Sequence, residues 1–197
     1  KINSELNKKK IKTKFINGLR VTNKEVIKIV EKVLIGFNKE IVEEFKNFSC
    51  NARCFTSIQN KILMVKPANK ELEYVGIPIE VNTKIIKEAI KGNALPVIAP
   101  LGLSKENKVY NVNADTAAGA ISKKLKARRL LILSDVEGVL DKNSRLISEI
   151  NSLEANDLIE QGIISEGMIP KINNCIDVAS NGVKGVVIID GRKSHSI

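Results

Sequence analysis

Three polar segments, far apart in the chain, carry the residues best suited to handling an anion. In the first, Asn111-Val-Asn-Ala-Asp115 stands directly before a run of small residues. Asn111 offers an amide and Asp115 a carboxylate beside the unpaired N–H groups of a helix start, which suits a polar ligand. The small residues that follow imply close packing by another backbone or by a ligand, although plain capping by Asn113 or Asp115 explains the same polar positions. In the second, the apolar run Leu130–Leu133 leads straight into Ser134, Asp135, Val136, Glu137, Gly138, Val139 and Leu140. Nucleotides gather beyond the C-terminal ends of such strands, and an ordinary strand–turn accounts for the segment equally well. In the third, Gly162-Ile163-Ile164-Ser165-Glu166-Gly167 leads into a helix with Pro170 in its first turn, where the missing N–H costs little. Lys171 falls in the same turn. The helix dipole disfavours a cation there unless an anion compensates it, and a lysine beside helix-start amides makes a phosphate cradle.

Other chemistries are poorly provided for. His195 is the sole histidine and lies near the chain end, which argues against Ser-His-Asp or histidine–metal catalysis. Cys50 and Cys54 have no second pair to complete a tetrahedral metal site, Cys175 sits where a small buried thiol is expected, and the odd total of three points to a reducing compartment. Neither G-x-x-x-x-G-K-[ST] nor G-x-G-x-x-G occurs, so a nucleotide site here has another design. The net charge of +10 comes from lysines scattered among glutamates, with Lys8–Lys10 read as a solvated helix end. That pattern reflects a lysine-, isoleucine- and asparagine-rich composition rather than a nucleic-acid-binding face. No apolar run is long enough to span a bilayer.

The surrounding periodicity supplies the positioning elements. Helical spacing runs from Asn23 to Lys46, with Gly36 a point where the helix could break in two. Asn51–Phe55 reads as a strand, and Lys61–Lys66 with Leu72–Ile77 as a strand pair around a Pro-Ala-Asn-Lys turn. Helices are expected over Asn82–Lys91, Ala114–Leu125, Asn151–Gln161 and Pro170–Asn181. Leu95–Pro100 and Gly185–Asp190 read as buried strands, and the continuous apolar run Leu130–Ser134 as a strand of the type that parallel sheets cover on both faces. Alternating strands and helices predict an α/β fold.

Taken together and in order, these segments resemble the acetylglutamate kinases of the amino-acid kinase superfamily. The resemblance rests on Phe15-Ile-Asn-Gly-Leu-Arg-Val-Thr22, Asn38-Lys-Glu-Ile-Val42, Pro96-Val-Ile-Ala-Pro100 and Tyr110–Gly119. It continues through Leu133–Asp141, Gly162–Lys171 and Ile188-Ile-Asp-Gly-Arg192. It implies a three-layer αβα sandwich with a mostly parallel central sheet, and transfer of the ATP γ-phosphoryl group to the side-chain carboxylate of N-acetyl-L-glutamate in arginine biosynthesis. By matched motif positions, Arg20 and Asn111 would bind that substrate, Asp115 would organise the catalytic lysines, and Lys171 would neutralise charge on the moving phosphoryl group. Asp135 to Leu140, with Ile163, Ile164 and Ser165, would line the ATP site, and Mg²⁺ would be held through the phosphates. Residues 1–100 would form the remainder of an acetylglutamate-binding lobe and residues 101–197 an ATP-binding lobe.

The family begins with a lysine–glycine phosphate loop and a second glycine-rich loop, and this chain starts after both. It is therefore expected to be incomplete, with another catalytic lysine outside it and little activity on its own. Cys54–Asn60 stands where relatives carry a glycine-rich loop, and its glycines are replaced. The resemblance further implies a dimer or hexamer, possible arginine feedback and possible control by a PII signalling protein. The expected compartment is the cytoplasm, or the plastid stroma for an organelle-encoded chain. A kinase of another carboxylate such as an aminoadipate derivative, and a non-catalytic nucleotide- or partner-binding remnant, are the alternatives.

Overall fold

Two parallel strand pairs and one four-stranded sheet are laid down between amphipathic helices, giving an α/β fold. The computed structural model describes residues 1–164 and 167–194, which fall into two compact units, Lys1–Ala117 and Ala118–Ile197.

In the first unit, α1 (Ile2–Lys8) is followed by a small hairpin of β1 (Phe15–Ile16) and β2 (Leu19–Arg20), then by α2 (Lys24–Asn47). Asn23 caps α2, its Oδ1 accepting from the Glu25 and Val26 amides. Of the two readings left open at Gly36, the helix runs through unbroken: a mid-helix glycine costs about 1 kcal/mol, less than the packing that holds the helix together. Val26, Ile29 and Val30 of α2 pack with Leu6, Ala99 and Leu101, and each such fully buried aliphatic side chain contributes about 1.5–3 kcal/mol.

The chain continues through β3 (Ala52–Phe55), α3 (Ser57–Asn60), β4 (Leu63–Pro67), β5 (Gly76–Val81), α4 (Thr83–Lys91), β6 (Leu95–Ile98), β7 (Leu101–Leu103) and β8 (Val109–Asn111). Strands β3 and β6 are parallel, and the larger sheet has the order β5-β4-β7-β8. β5 lies further along than the expected Leu72–Ile77, because Pro78 is accommodated opposite Val65, at a register shift in β4. Proline is tolerated in a sheet at such irregularities. β6 is also shorter and more open than expected, with Leu95 40% exposed.

Helix α5 (Ala114–Leu125) spans the boundary between the units. The second unit then comprises β9 (Arg129–Ser134), α6 (Ser152–Glu160), α7 (Met168–Ser180) and β10 (Gly185–Asp190). β9 and β10 pair in parallel, from Arg129 opposite Gly185 to Ser134 opposite Asp190. Leu130 and Ile132 are buried against Val178 and Val183, whereas Leu131 and Leu133 remain 40% and 59% exposed. Among the described residues the sheet is thus covered on one face, not on both. Continuous apolarity in sequence records what a strand is fit to bury, not what this chain places upon it.

Candidate functional site

The β1–β2 hairpin turns at Asn17 and Gly18, with φ of 48° and 75°. Asn-Gly with both residues left-handed is the tight turn that matches strand twist, and it was the sequence signal for this otherwise unanticipated hairpin. It sets Arg20 at the end of β2. The guanidinium donates to Thr13 Oγ1 at 2.8 Å and to Asn3 Oδ1 at 2.7 Å, and lies 4.6 Å from the Phe15 ring centroid. These partners are all neutral, and among the described residues no carboxylate forms an ion pair with Arg20. Burial pushes its pKa down, since nothing nearby compensates the partly desolvated charge. A planar, partly desolvated cation held by neutral acceptors is suited to a ligand carboxylate.

Asn111 ends β8, and its side-chain Nδ2 donates to Thr22 Oγ1 at 3.3 Å. The Thr22 hydroxyl in turn donates to the Arg20 carbonyl at 2.8 Å. Thr22 is fully buried, with its backbone paired to Leu72 and Tyr74, and Asn111 bridges to Val75 and Tyr74 in the same way. Arg20 and Asn111, singled out from distant segments, are therefore joined through one hydroxyl. From the sequence, Thr22 enters only as the last residue of the Phe15–Thr22 motif.

Asp115 occupies the first turn of α5, but the cap is Asn113, whose Oδ1 accepts from the Thr116 amide at 3.0 Å. The half-buried Asp115 carboxylate is thus not needed for capping. The small-residue stretch that follows is explained by close packing within the second unit, where Gly119 abuts Asn174 and Val178 of α7.

In that unit Ser134 is the last residue of β9, and Asp135 opens the turn beyond it. Gly138 has φ +149°, where a side chain is strained, and a β-carbon would meet Leu146 at 2.9 Å. Asp141 closes the loop by accepting from the Asn143 and Arg145 amides at 2.7 and 2.8 Å. Val139, Ile164 and Ile172 share one apolar cluster, which ties the Asp135–Leu140 turn to the start of α7. Lys171 is the fourth residue of α7, half-buried, and the helix N-cap is Gly167, which has no side chain to satisfy the first amides.

The remaining expected nucleotide residues divide. Ile164 is 2% exposed, and the Ile163 and Ile164 amides are both spent on the Leu158 carbonyl, so only the half-exposed Ile163 side chain faces outward. Ser165, like His195, lies outside the described residues. A cleft of about 670 Å³ is lined by Glu137, Gly138 and Val139 together with Ile176, Val186 and Ile188, and does not include Asp135, Val136, Leu140 or Lys171. Cys175, expected to be buried, is only half-buried and lines the same cleft.

Sequence reasoning passed over the polar group at the ends of β9 and β10. Arg192 Nε and Nη2 donate to the two oxygens of Asp190 at 2.9 and 2.8 Å, and the Arg192 amide adds a third bond at 3.0 Å. These bonds, the side-chain ones foremost, pull the Asp190 carboxyl down to about 2. Arg192 is raised in return by Asp190, with a further contribution from Asp135. The Gly191 amide donates to the Ser134 carbonyl, and Lys193 pairs with Glu137, so both strand ends and the intervening turn are fastened together. The Asp-Gly-Arg spacing was visible in the sequence, but the pairing partner across the sheet was not.

No group of three His, Cys, Asp or Glu side chains among the described residues could hold a metal ion, and no described helix is long and apolar enough to cross a membrane.

The model of the amino acid kinase family matches residues 2–190. The acetylglutamate kinase of Pelagibacter ubique (strain HTCC1062) is 60% identical over 197 residues, covering 100% of this chain and 68% of that protein. The acetylglutamate kinase of Caldanaerobacter subterraneus subsp. tengcongensis is 46% identical over 203 residues, again covering 100% of this chain and 68% of the relative. Among solved structures, smu.665 from Streptococcus mutans UA159 superposes with a TM-score of 0.91 at 31% identity, covering 96% of this chain and 78% of that one.

Proposed function

The chain belongs to the amino acid kinase family, and we propose from that premise that it works as an acetylglutamate kinase, moving the ATP γ-phosphoryl group to the side-chain carboxylate of N-acetyl-L-glutamate. The observation that carries this reading is the 60% identity to an acetylglutamate kinase along the whole chain. The geometry agrees with it in each unit. The first unit holds Arg20 among neutral acceptors and couples it to Asn111, which suits an acylated amino acid bearing a free carboxylate. The second unit sets Lys171 in the first turn of a helix whose amides attract anions.

In this reading an acceptor carboxylate oxygen attacks the γ-phosphorus and the bond to the ADP oxygen breaks, leaving an acyl phosphate and ADP. The acceptor is ionised near neutral pH, so no general base is required. What the protein supplies is alignment and charge stabilisation. Arg20 and Asn111 hold the acceptor, Lys171 meets the charge on the transferring group, and Asp115 organises the lysines around it. Asp135 to Leu140 and the Ile163 side chain line the nucleotide side, with Ile164 buried in the apolar cluster that also holds Val139. Mg²⁺ would enter with the nucleotide, held through its phosphates and not by a carboxylate cluster among the described residues, and would supply further charge neutralisation.

The same reading places the chain in arginine biosynthesis, in the cytoplasm, with arginine and a PII protein as regulators to be tested. Assembly of several copies is supported by the exposed Phe37 and Phe45 of α2 and by Phe48 just past its end, the last 81% exposed.

Incubating the full-length protein with MgATP and N-acetyl-L-glutamate, and trapping the product with hydroxylamine, tests the proposal. Hydroxamate should form in proportion to ADP. ADP release without hydroxamate, or no nucleotide turnover at all, would overturn it.

A further inference from the structure

We infer that Thr22 is a positioning residue of the acceptor site, fixing the Asn111 amide in the one orientation that leaves its oxygen to accept from the acceptor. This rests on the reading of Asn111 as an acceptor-binding residue.

A threonine hydroxyl has one hydrogen and two lone pairs. The Thr22 hydrogen is committed to the Arg20 carbonyl at 2.8 Å. Towards Asn111 the hydroxyl can therefore only accept, so the NH₂ group must be the partner at 3.3 Å. An amide turned the other way would set oxygen against oxygen. Thr22 cannot swing aside, because it is fully buried, its amide donates to the Leu72 carbonyl and its own carbonyl accepts from the Tyr74 amide.

The Asn111 backbone N–H is also spent, on the Tyr74 carbonyl at 2.9 Å. What the half-exposed Asn111 has left to offer is the second hydrogen of Nδ2 and Oδ1, the side chain's only acceptor atom, which has no hydrogen-bond partner among the described residues. A fixed oxygen acceptor selects a ligand that brings an N–H. An acylated amine brings one from its amide, and the corresponding ester brings only another oxygen. Thr22 thereby converts a symmetric-looking side chain into a discriminator between amide and ester acceptors.

The test compares N-acetyl-L-glutamate with its ester analogue, 2-acetoxyglutarate, as acceptors for the full-length enzyme and for Thr22→Ser and Thr22→Val. The wild type should favour the amide about tenfold or more in kcat/KM, the worth of one hydrogen bond plus the repulsion avoided. Thr22→Ser should keep that preference. Thr22→Val should lose most of it through the amide's KM, with the KM for ATP unchanged. A purely structural role for Thr22 would lower stability without moving the ratio, so an unchanged ratio in Thr22→Val overturns the inference. If the valine variant fails to fold, a wild-type ratio near one, or a lost preference in Thr22→Ser, overturns it just as well. Turnover of neither acceptor by the wild type would instead overturn the kinase reading on which the inference stands.

Discussion

Gly119 of α5 and Asn174 of α7 stand so close that a β-carbon at 119 would lie 2.6 Å from the Asn174 Oδ1, and 2.9 Å from Val178 Cγ2. Close approach of two helices, and not a ligand, thus accounts for the small residue here. Gly119→Val should destabilise the protein by about 2–3 kcal/mol through overpacking, seen as a lowered urea midpoint. Asn174→Ala should recover part of the loss in the double variant. A midpoint unchanged by Gly119→Val would mean the helices do not pack as described.

Arg20 is held by neutral oxygens and stacked on Phe15, leaving its charge for a ligand. Arg20→Lys keeps the charge but loses the planar fork that grips a carboxylate. In the full-length enzyme the acceptor KM should rise about tenfold or more, with the KM for ATP within a factor of two. A change confined to ATP would assign Arg20 to the other substrate.

The Asp190–Arg192 pair predicts a pH dependence with a definite sign. The Asp190 carboxyl sits at about 2, below its ordinary 3.8, because Arg192 favours the ionised form. The folded state therefore binds this proton less readily than the unfolded state. The associated stability is complete above about pH 4 and drains away as the pH falls towards 2. Asp190→Asn should be less stable than wild type at pH 6, and that gap should narrow between pH 4 and pH 2. Parallel stability curves across this range would show that the pair contributes no linkage.

Much of this architecture was legible because short-range patterns coincide with the elements formed. Ala114–Leu125 and Gly185–Asp190 follow from a polar start before small residues and from an apolar run between glycine and aspartate. Features that depend on contacts distant in sequence were not legible. The Thr22 relay exists because two isolated bridges, Thr22 to Glu73 and Val75 to Asn111, bring three segments side by side. The position of β5 was missed because Pro78 reads as a strand breaker until the irregularity in β4 is known. The Cys54–Asn60 stretch, stripped of glycines, keeps a tight turn by other means. Thr56 Oγ1 caps α3 at the Gln59 amide, Asn60 Oδ1 accepts from the Thr56 amide, and Lys61 adopts φ 48°.

The most direct measurement of the central claim is steady-state kinetics of Lys171→Ala in the full-length protein, with both substrates varied. Lysine at the start of α7 is assigned to the transferring phosphoryl group, so its loss should be felt in the transition state more than in either ground state. The account predicts a fall in kcat of about 10²–10³, KM values for ATP and N-acetyl-L-glutamate within about threefold, and an unchanged unfolding midpoint. A kcat within twofold of wild type in a folded variant would contradict it.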